Sequence, residues 1–121
     1  MLKKILVIDD NEQDRKIIKR FLNKAGYKDV VLAETGEVGV EKAKFDNPEL
    51  VISDTMLPGI DGFEVCRQIR EAQAGIKIIM MTGAIDAVDA VKAKKMGADD
   101  YCVKTSDYAV LLEAVKKLIY E

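Results

Sequence analysis

Histidine is missing altogether from this 121-residue chain. With it go Ser-His-Asp and Cys-His catalysis and the usual zinc and haem ligand sets. Cysteine is scarce: Cys66 and Cys102 stand far apart with no Cys-x-x-Cys, which reads as thiols in a reduced cytosol. No apolar stretch approaches twenty residues, and Met1 leads straight into a patterned segment without an h-region or cleavage site. Neither membrane spanning nor secretion is expected, and the expected location is the cytoplasm. There is no basic excess, because 19 Lys and Arg face 21 Asp and Glu. That argues against a nucleic-acid or membrane-surface binder and leaves protein as the expected partner. Runs of five or six like charges, low-complexity tracts and Gly/Ser linkers are also lacking, which disfavours disorder and coiled coil. What is present is 49% apolar and 33% charged residues, enough for one globular domain, expected to span 1–121.

Short β-branched runs alternate with longer stretches of helical period. Ile5–Ile8, Val30–Ala33, Leu50–Ser53, Ile76–Met81 and Tyr101–Val103 are predicted strands; the segments near 11–25, 35–45, 61–73, 86–96 and 106–120 are predicted helices. Strict alternation of five and five means an α/β fold, a parallel sheet with helices on both faces. Gly26 and Gly97 follow helical segments where a terminating glycine belongs, and Asn47-Pro48 breaks the second helix. In the first helix Ile17, Ile18, Phe21, Leu22 and Ala25 share an arc of roughly 140°, leaving Lys16, Lys19, Arg20 and Lys24 to solvent.

Ligands of open parallel sheets bind beyond the carboxyl ends of the strands, where strand order reverses. Strand one ends in Asp9-Asp10, strand three in Asp54, strand four in Thr82 and strand five in Lys104. Converging carboxylates repel by about 4 kcal/mol per pair at 4 Å in an effective dielectric near 20, so a cation is needed among them. All-oxygen ligands without histidine suit Mg²⁺ or Mn²⁺. A carboxylate beside such an ion, with an ammonium and a hydroxyl nearby, is arranged to receive a phosphoryl group. Asp54 is the candidate nucleophile because it closes the central apolar run. Taken singly, each residue has a plainer role. Asp10 or Asn11 can cap the first helix, Thr82 can serve a turn, Lys104 can be a solvated charge and Tyr101 a core aromatic. Their joint placement at four strand ends is what favours a site.

The chain resembles the receiver domain of two-component response regulators. The resemblance runs from Lys4 to about Leu118 and rests on Ile8-Asp9-Asp10, Val51-Ile52-Ser53-Asp54, Met56-Leu57-Pro58-Gly59, Asp61-Gly62, Met81-Thr82-Gly83 and Gly97-Ala98-Asp99-Asp100-Tyr101 leading to Lys104. It implies a doubly wound flavodoxin-like (βα)5 fold with strand order 2-1-3-4-5. It implies Mg²⁺ on Asp9, Asp10, Asp54 and the backbone carbonyl of Met56, and phosphorylation of Asp54. Thr82 and Lys104 would bind the phosphoryl oxygens, with Thr82 and Tyr101 as the switch. The donor would be a phosphohistidine on a sensor histidine kinase or a histidine phosphotransfer protein, and the output contact with a downstream target protein. The chain itself would turn over no substrate beyond its own phosphorylation and dephosphorylation.

Two positions depart from the family pattern. Thr105 follows Lys104 where the family usually has a cis proline, so a trans bond and a shifted loop are expected. Met56 and Ala84 stand where a polar side chain could orient an attacking water, so slow self-dephosphorylation is expected. Three rival readings share the fold or the chemistry. A flavodoxin-like cofactor binder lacks support, because the loop after strand one is acidic and not Gly-rich. An aspartyl-phosphate phosphatase usually carries a cap domain and places its nucleophile after the first strand. A phosphate-independent receiver-like interaction module is the alternative that the missing proline keeps open. For partners, the face to test carries Lys92, Lys94, Lys95, Tyr101 and Tyr108, although a charged helix is usually a solvated one.

Overall fold

The computed structural model describes residues 3–84, 86–105 and 107–119. Five strands, β1 (Lys4–Ile8), β2 (Asp29–Ala33), β3 (Leu50–Asp54), β4 (Lys77–Thr82) and β5 (Asp100–Val103), alternate with α1 (Glu12–Lys24), α2 (Gly36–Asp46), α3 (Gly62–Ala72), α4 (Ala87–Lys95) and α5 (Ala109–Leu118). All the pairings are parallel and the order is β2-β1-β3-β4-β5. This is the flavodoxin-like α/β fold expected.

The sheet is covered on both faces, and the period of two along each strand decides which residue goes where. Ile5, Val7, Leu50, Ile52, Ile79 and Met81 join Ile18 and Leu22 of α1 and Leu111 and Val115 of α5 in one core. Leu6, Ile8, Val51, Ile78 and Met80 join Val40, Phe63, Val65 and Ile69 in the other, beneath α2, α3 and α4.

The first four helices begin on side-chain caps: Asn11, Thr35, Asp61 and Asp86 accept from the backbone N–H of Asp14, Val38, Glu64 and Val88. Gly26 (φ 104°) and Gly97 (φ 101°) adopt the left-handed conformation that ends a helix, as the sequence predicts. Strand four runs one residue later than expected at each end, from exposed Lys77 to Thr82. Two faces of α1 also differ from expectation: Ala25 is exposed, because the helix has ended at Lys24, and Lys19 is half-buried. The predicted fifth helix spanned 106–120, of which Ser106 and Tyr120 lie outside the described residues. Among the described residues, no helix is long and apolar enough to cross a membrane.

Candidate functional site

The chain leaves β1 for β2 on one side and reaches β3 on the other, so the switch point lies between β1 and β3. There Asp9 and Asp10, just past β1, meet Asp54, the last residue of β3. One carboxylate oxygen from each lies within 4.8 Å of the others. Asp9 is 1% exposed, Asp54 is half-buried and Asp10 faces solvent. Asp9 is held firmly: its Oδ1 accepts from the Asn11 N–H at 2.9 Å, and Arg15 Nη1 donates to its carbonyl at 2.8 Å.

Lys104 reaches across from the end of β5. Its Nζ donates to Asp9 Oδ2 at 2.8 Å, Asp14 Oδ2 at 3.1 Å and Asp54 Oδ2 at 3.2 Å. The shifted loop expected here does not displace the ammonium. The Lys104 N–H extends the β4–β5 ladder by donating to the Thr82 carbonyl at 2.7 Å, which fixes the backbone whatever residue follows. The Lys104–Thr105 bond is trans, as expected.

Charge is unbalanced in this crevice, and the proton affinities register it. Burial pushes the Asp54 carboxyl above its ordinary pKa; the neighbouring Asp9 charge adds to this, and together they outweigh Lys104 and the N–H of Met56. For Lys104, burial acts downward, but the hydrogen bond with Asp9 and the charges of Asp54 and Asp9 prevail and raise its pKa. A single ammonium shared by three carboxylates cannot neutralise them. A cluster of acidic oxygens with no histidine or thiolate fits a small hard divalent cation.

Of the other expected residues, Met56 and Thr82 lie beside this centre and Tyr101 does not. Met56 directs its N–H toward Asp54 Oδ1 at 3.5 Å, while its side chain is 80% exposed. Thr82 is buried beside the site, but its Oγ1 donates to the Ala84 carbonyl at 2.9 Å and accepts from the Ala84 N–H at 3.3 Å. Among the described residues its hydroxyl serves its own turn and has no bond to Asp54. Tyr101 is not brought to the crevice: it pairs with Met80, two rungs below Thr82, and packs on the α2–α3–α4 side. Its hydroxyl is buried and, among the described residues, has no hydrogen-bond partner. Sequence reasoning missed Asp14. Its only signal was an acid in the first turn of α1, which a helix N-terminus favours anyway.

Fold and site together define a class: a doubly wound switch-point module with an acidic crevice made for a hard cation and a cationic side chain poised over it. The family model of the response regulator receiver domain matches residues 5–116, and the chain belongs to that family. It is 41% identical over 104 residues to the alkaline phosphatase synthesis transcriptional regulatory protein PhoP of Bacillus subtilis, a match covering 86% of this chain and 43% of that protein. The chain spans about half the length of the curated relatives it matches. Among solved structures it is similar to the response regulator TrrA of Thermotoga maritima in complex with Mg²⁺ and beryllofluoride (TM-score 0.90, 37% identity, 98% of this chain and 100% of that one). It is similar also to the chemotaxis protein CheY4 of Vibrio cholerae (TM-score 0.91, 26% identity, 98% and 100%). Receiver domains of response regulators are phosphorylation-dependent switches that bind Mg²⁺, take phosphoryl groups from histidine kinases and act on downstream targets.

Proposed function

We propose that this chain is a receiver unit in which Asp54 accepts a phosphoryl group from a phosphohistidine on a sensor histidine kinase or a histidine phosphotransfer protein. One observation carries the reading: Asp54 closes a buried central strand, within ion-sharing distance of Asp9 and Asp10 and under the Lys104 ammonium. Asp9, Asp10, Asp54 and the backbone carbonyl of Met56 would hold Mg²⁺, with Mn²⁺ as a substitute. The bound ion supplies neutralisation of the oxygen charge that gathers on the transferring group.

The chemistry is a displacement at phosphorus. An Asp54 carboxylate oxygen forms the new P–O bond, the P–N bond to the donor imidazole breaks, and the imidazole nitrogen keeps the electron pair and takes a proton from water. Lys104 and Thr82 bind the equatorial oxygens. A phosphoryl group adds roughly −1.5 to −2 charge, enough to draw the Thr82 hydroxyl out of its turn with Ala84. Tyr101, whose buried hydroxyl has no partner among the described residues, follows the space that Thr82 vacates, and the surface made by α4, β5 and α5 changes its affinity for a downstream target protein. Nucleic acid and membrane have no part in this unit's contacts, and the reaction belongs to the cytoplasm. Met56 and Ala84 flank the phosphoryl site, neither side chain can orient water there, and self-dephosphorylation is slow.

Intact mass after exposure to acetyl phosphate tests this directly. A gain of about 80 Da that requires both Mg²⁺ and Asp54, and is lost in Asp54→Asn, supports the assignment. No gain under conditions that phosphorylate a control receiver returns the chain to the phosphate-independent interaction module.

A further inference from the structure

We propose that Asp14 is a positioning residue for Lys104: it keeps the ammonium in the crevice while metal occupies Asp9 and Asp54, and yields it to the phosphoryl group afterwards. The proposal rests on the phosphoacceptor reading of Asp54 given above.

Asp14 is the third residue of α1, where an acid is ordinarily explained by the helix dipole or by a reciprocal bond to the capping residue. The second explanation does not apply. The Asn11 N–H that such a bond would satisfy already donates to Asp9 Oδ1, and the cap itself uses only the backbone N–H of Asp14. The recorded hydrogen bond of the Asp14 carboxylate is instead to Lys104, 90 residues away in sequence.

Lysine has three N–H donors, and here they go to three carboxylates. Two of those, Asp9 and Asp54, belong to the acidic cluster that suits a divalent ion, and a bound cation would compete with the ammonium for their oxygens. Asp14 stands outside that cluster and is one-third exposed. It is therefore the acceptor that can keep Lys104 in place when the others are engaged. Without it, Lys104 would bear on Asp9 and Asp54 alone and oppose metal entry. Once phosphoryl oxygens are present, the same carboxylate competes with them for the ammonium. Asp14 thus acts with opposite sign on the two ligands, which a purely structural helix acid would not do.

The test titrates the full chain by calorimetry, first with Mg²⁺ alone and then with beryllofluoride at saturating Mg²⁺, for wild type, Asp14→Asn, Lys104→Met and the double variant. Asp14→Asn should weaken Mg²⁺ and tighten beryllofluoride, each by about three- to tenfold. In the Lys104→Met background the gain in beryllofluoride affinity should vanish. Unchanged affinities in Asp14→Asn overturn the proposal, as does an equal gain without Lys104, which would mean a field effect alone. If folded wild type takes no beryllofluoride at all, the phosphoacceptor reading fails and this proposal with it. Binding by wild type with no effect of Asp14→Asn removes only the proposal.

Discussion

Each end of the sheet carries a partly buried cation with several oxygen partners, and the two are used in opposite ways. At the amino-terminal end, Arg70 of α3 donates five hydrogen bonds, two to the Gly97 carbonyl and one each to Ala74, Ile76 and Asp99. Asp99 Oδ2 in turn accepts from the Ile78 N–H at 2.8 Å, tying the starts of β4 and β5 to α3. One guanidinium faces one carboxylate and three carbonyls, so both charge and geometry are satisfied. At the carboxyl end, Lys104 faces Asp9, Asp14 and Asp54, with Asp10 beside them, and the cluster keeps an excess of negative charge. Balanced burial of charge builds a joint. Unbalanced burial leaves negative charge uncompensated and thereby marks the site.

The largest effect expected from this contrast is at the joint. Arg70→Ala should cost about 2–4 kcal/mol in urea unfolding, because it removes five hydrogen bonds from three carbonyls and from Asp99, which keeps only the Ile78 N–H, and Mg²⁺ should recover none of it. Lys104→Met should cost less, about 1–3 kcal/mol in chelator, and Mg²⁺ should recover most of that by replacing the lost positive charge. If Mg²⁺ fails to stabilise Lys104→Met more than wild type, the two ends do not differ as described.

The thiols sharpen the comparison, since one lies on each face of the sheet. Burial pushes both Cys66 and Cys102 up to about 11. A folded-state value above the unfolded one contributes stability that is complete below pH 9 and is lost as pH rises toward 11, which urea midpoints across that range will register. Native labelling at pH 8 should be slow for both. Cys66 donates to the Met96 carbonyl beside the Arg70 joint, so Arg70→Ala should speed labelling of Cys66 and leave Cys102 unaffected. The smallest effect belongs to the exposed pair Lys16–Glu12 at 2.9 Å; Glu12→Gln should leave the urea midpoint unchanged. A clear shift there would mean that counting ion pairs, not their burial, is the better guide.

These examples also show where a sequence can be read unaided. Short continuous apolar runs such as Ile5–Ile8 announce buried strands, because neighbouring residues settle the matter and both faces of a parallel sheet are apolar. Asp9, Asp10, Asp54 and Lys104 could be gathered because a parallel sheet sends every strand end to the same side. Asp14 could not, since its partner lies 90 residues on and its local explanation was already sufficient. Ala25 misled because helical phase was extended past the point where the helix stops. Thr105 follows a trans bond as expected, and the loop shift expected with it does not take Lys104 out of the crevice, where the ladder bond to Thr82 and three carboxylates hold it.

Gly62 opens α3 flush against the backbone of β3, where an added Cβ would run into the carbonyl of Asp54, and its N–H donates to Thr55 at 3.0 Å. The strand end bearing that carboxylate therefore backs onto a stop. If Asp54 is the phosphoacceptor proposed above, charge placed on its tip would find no slack behind it to recoil into, and the open direction would be forward, toward the turn after β4.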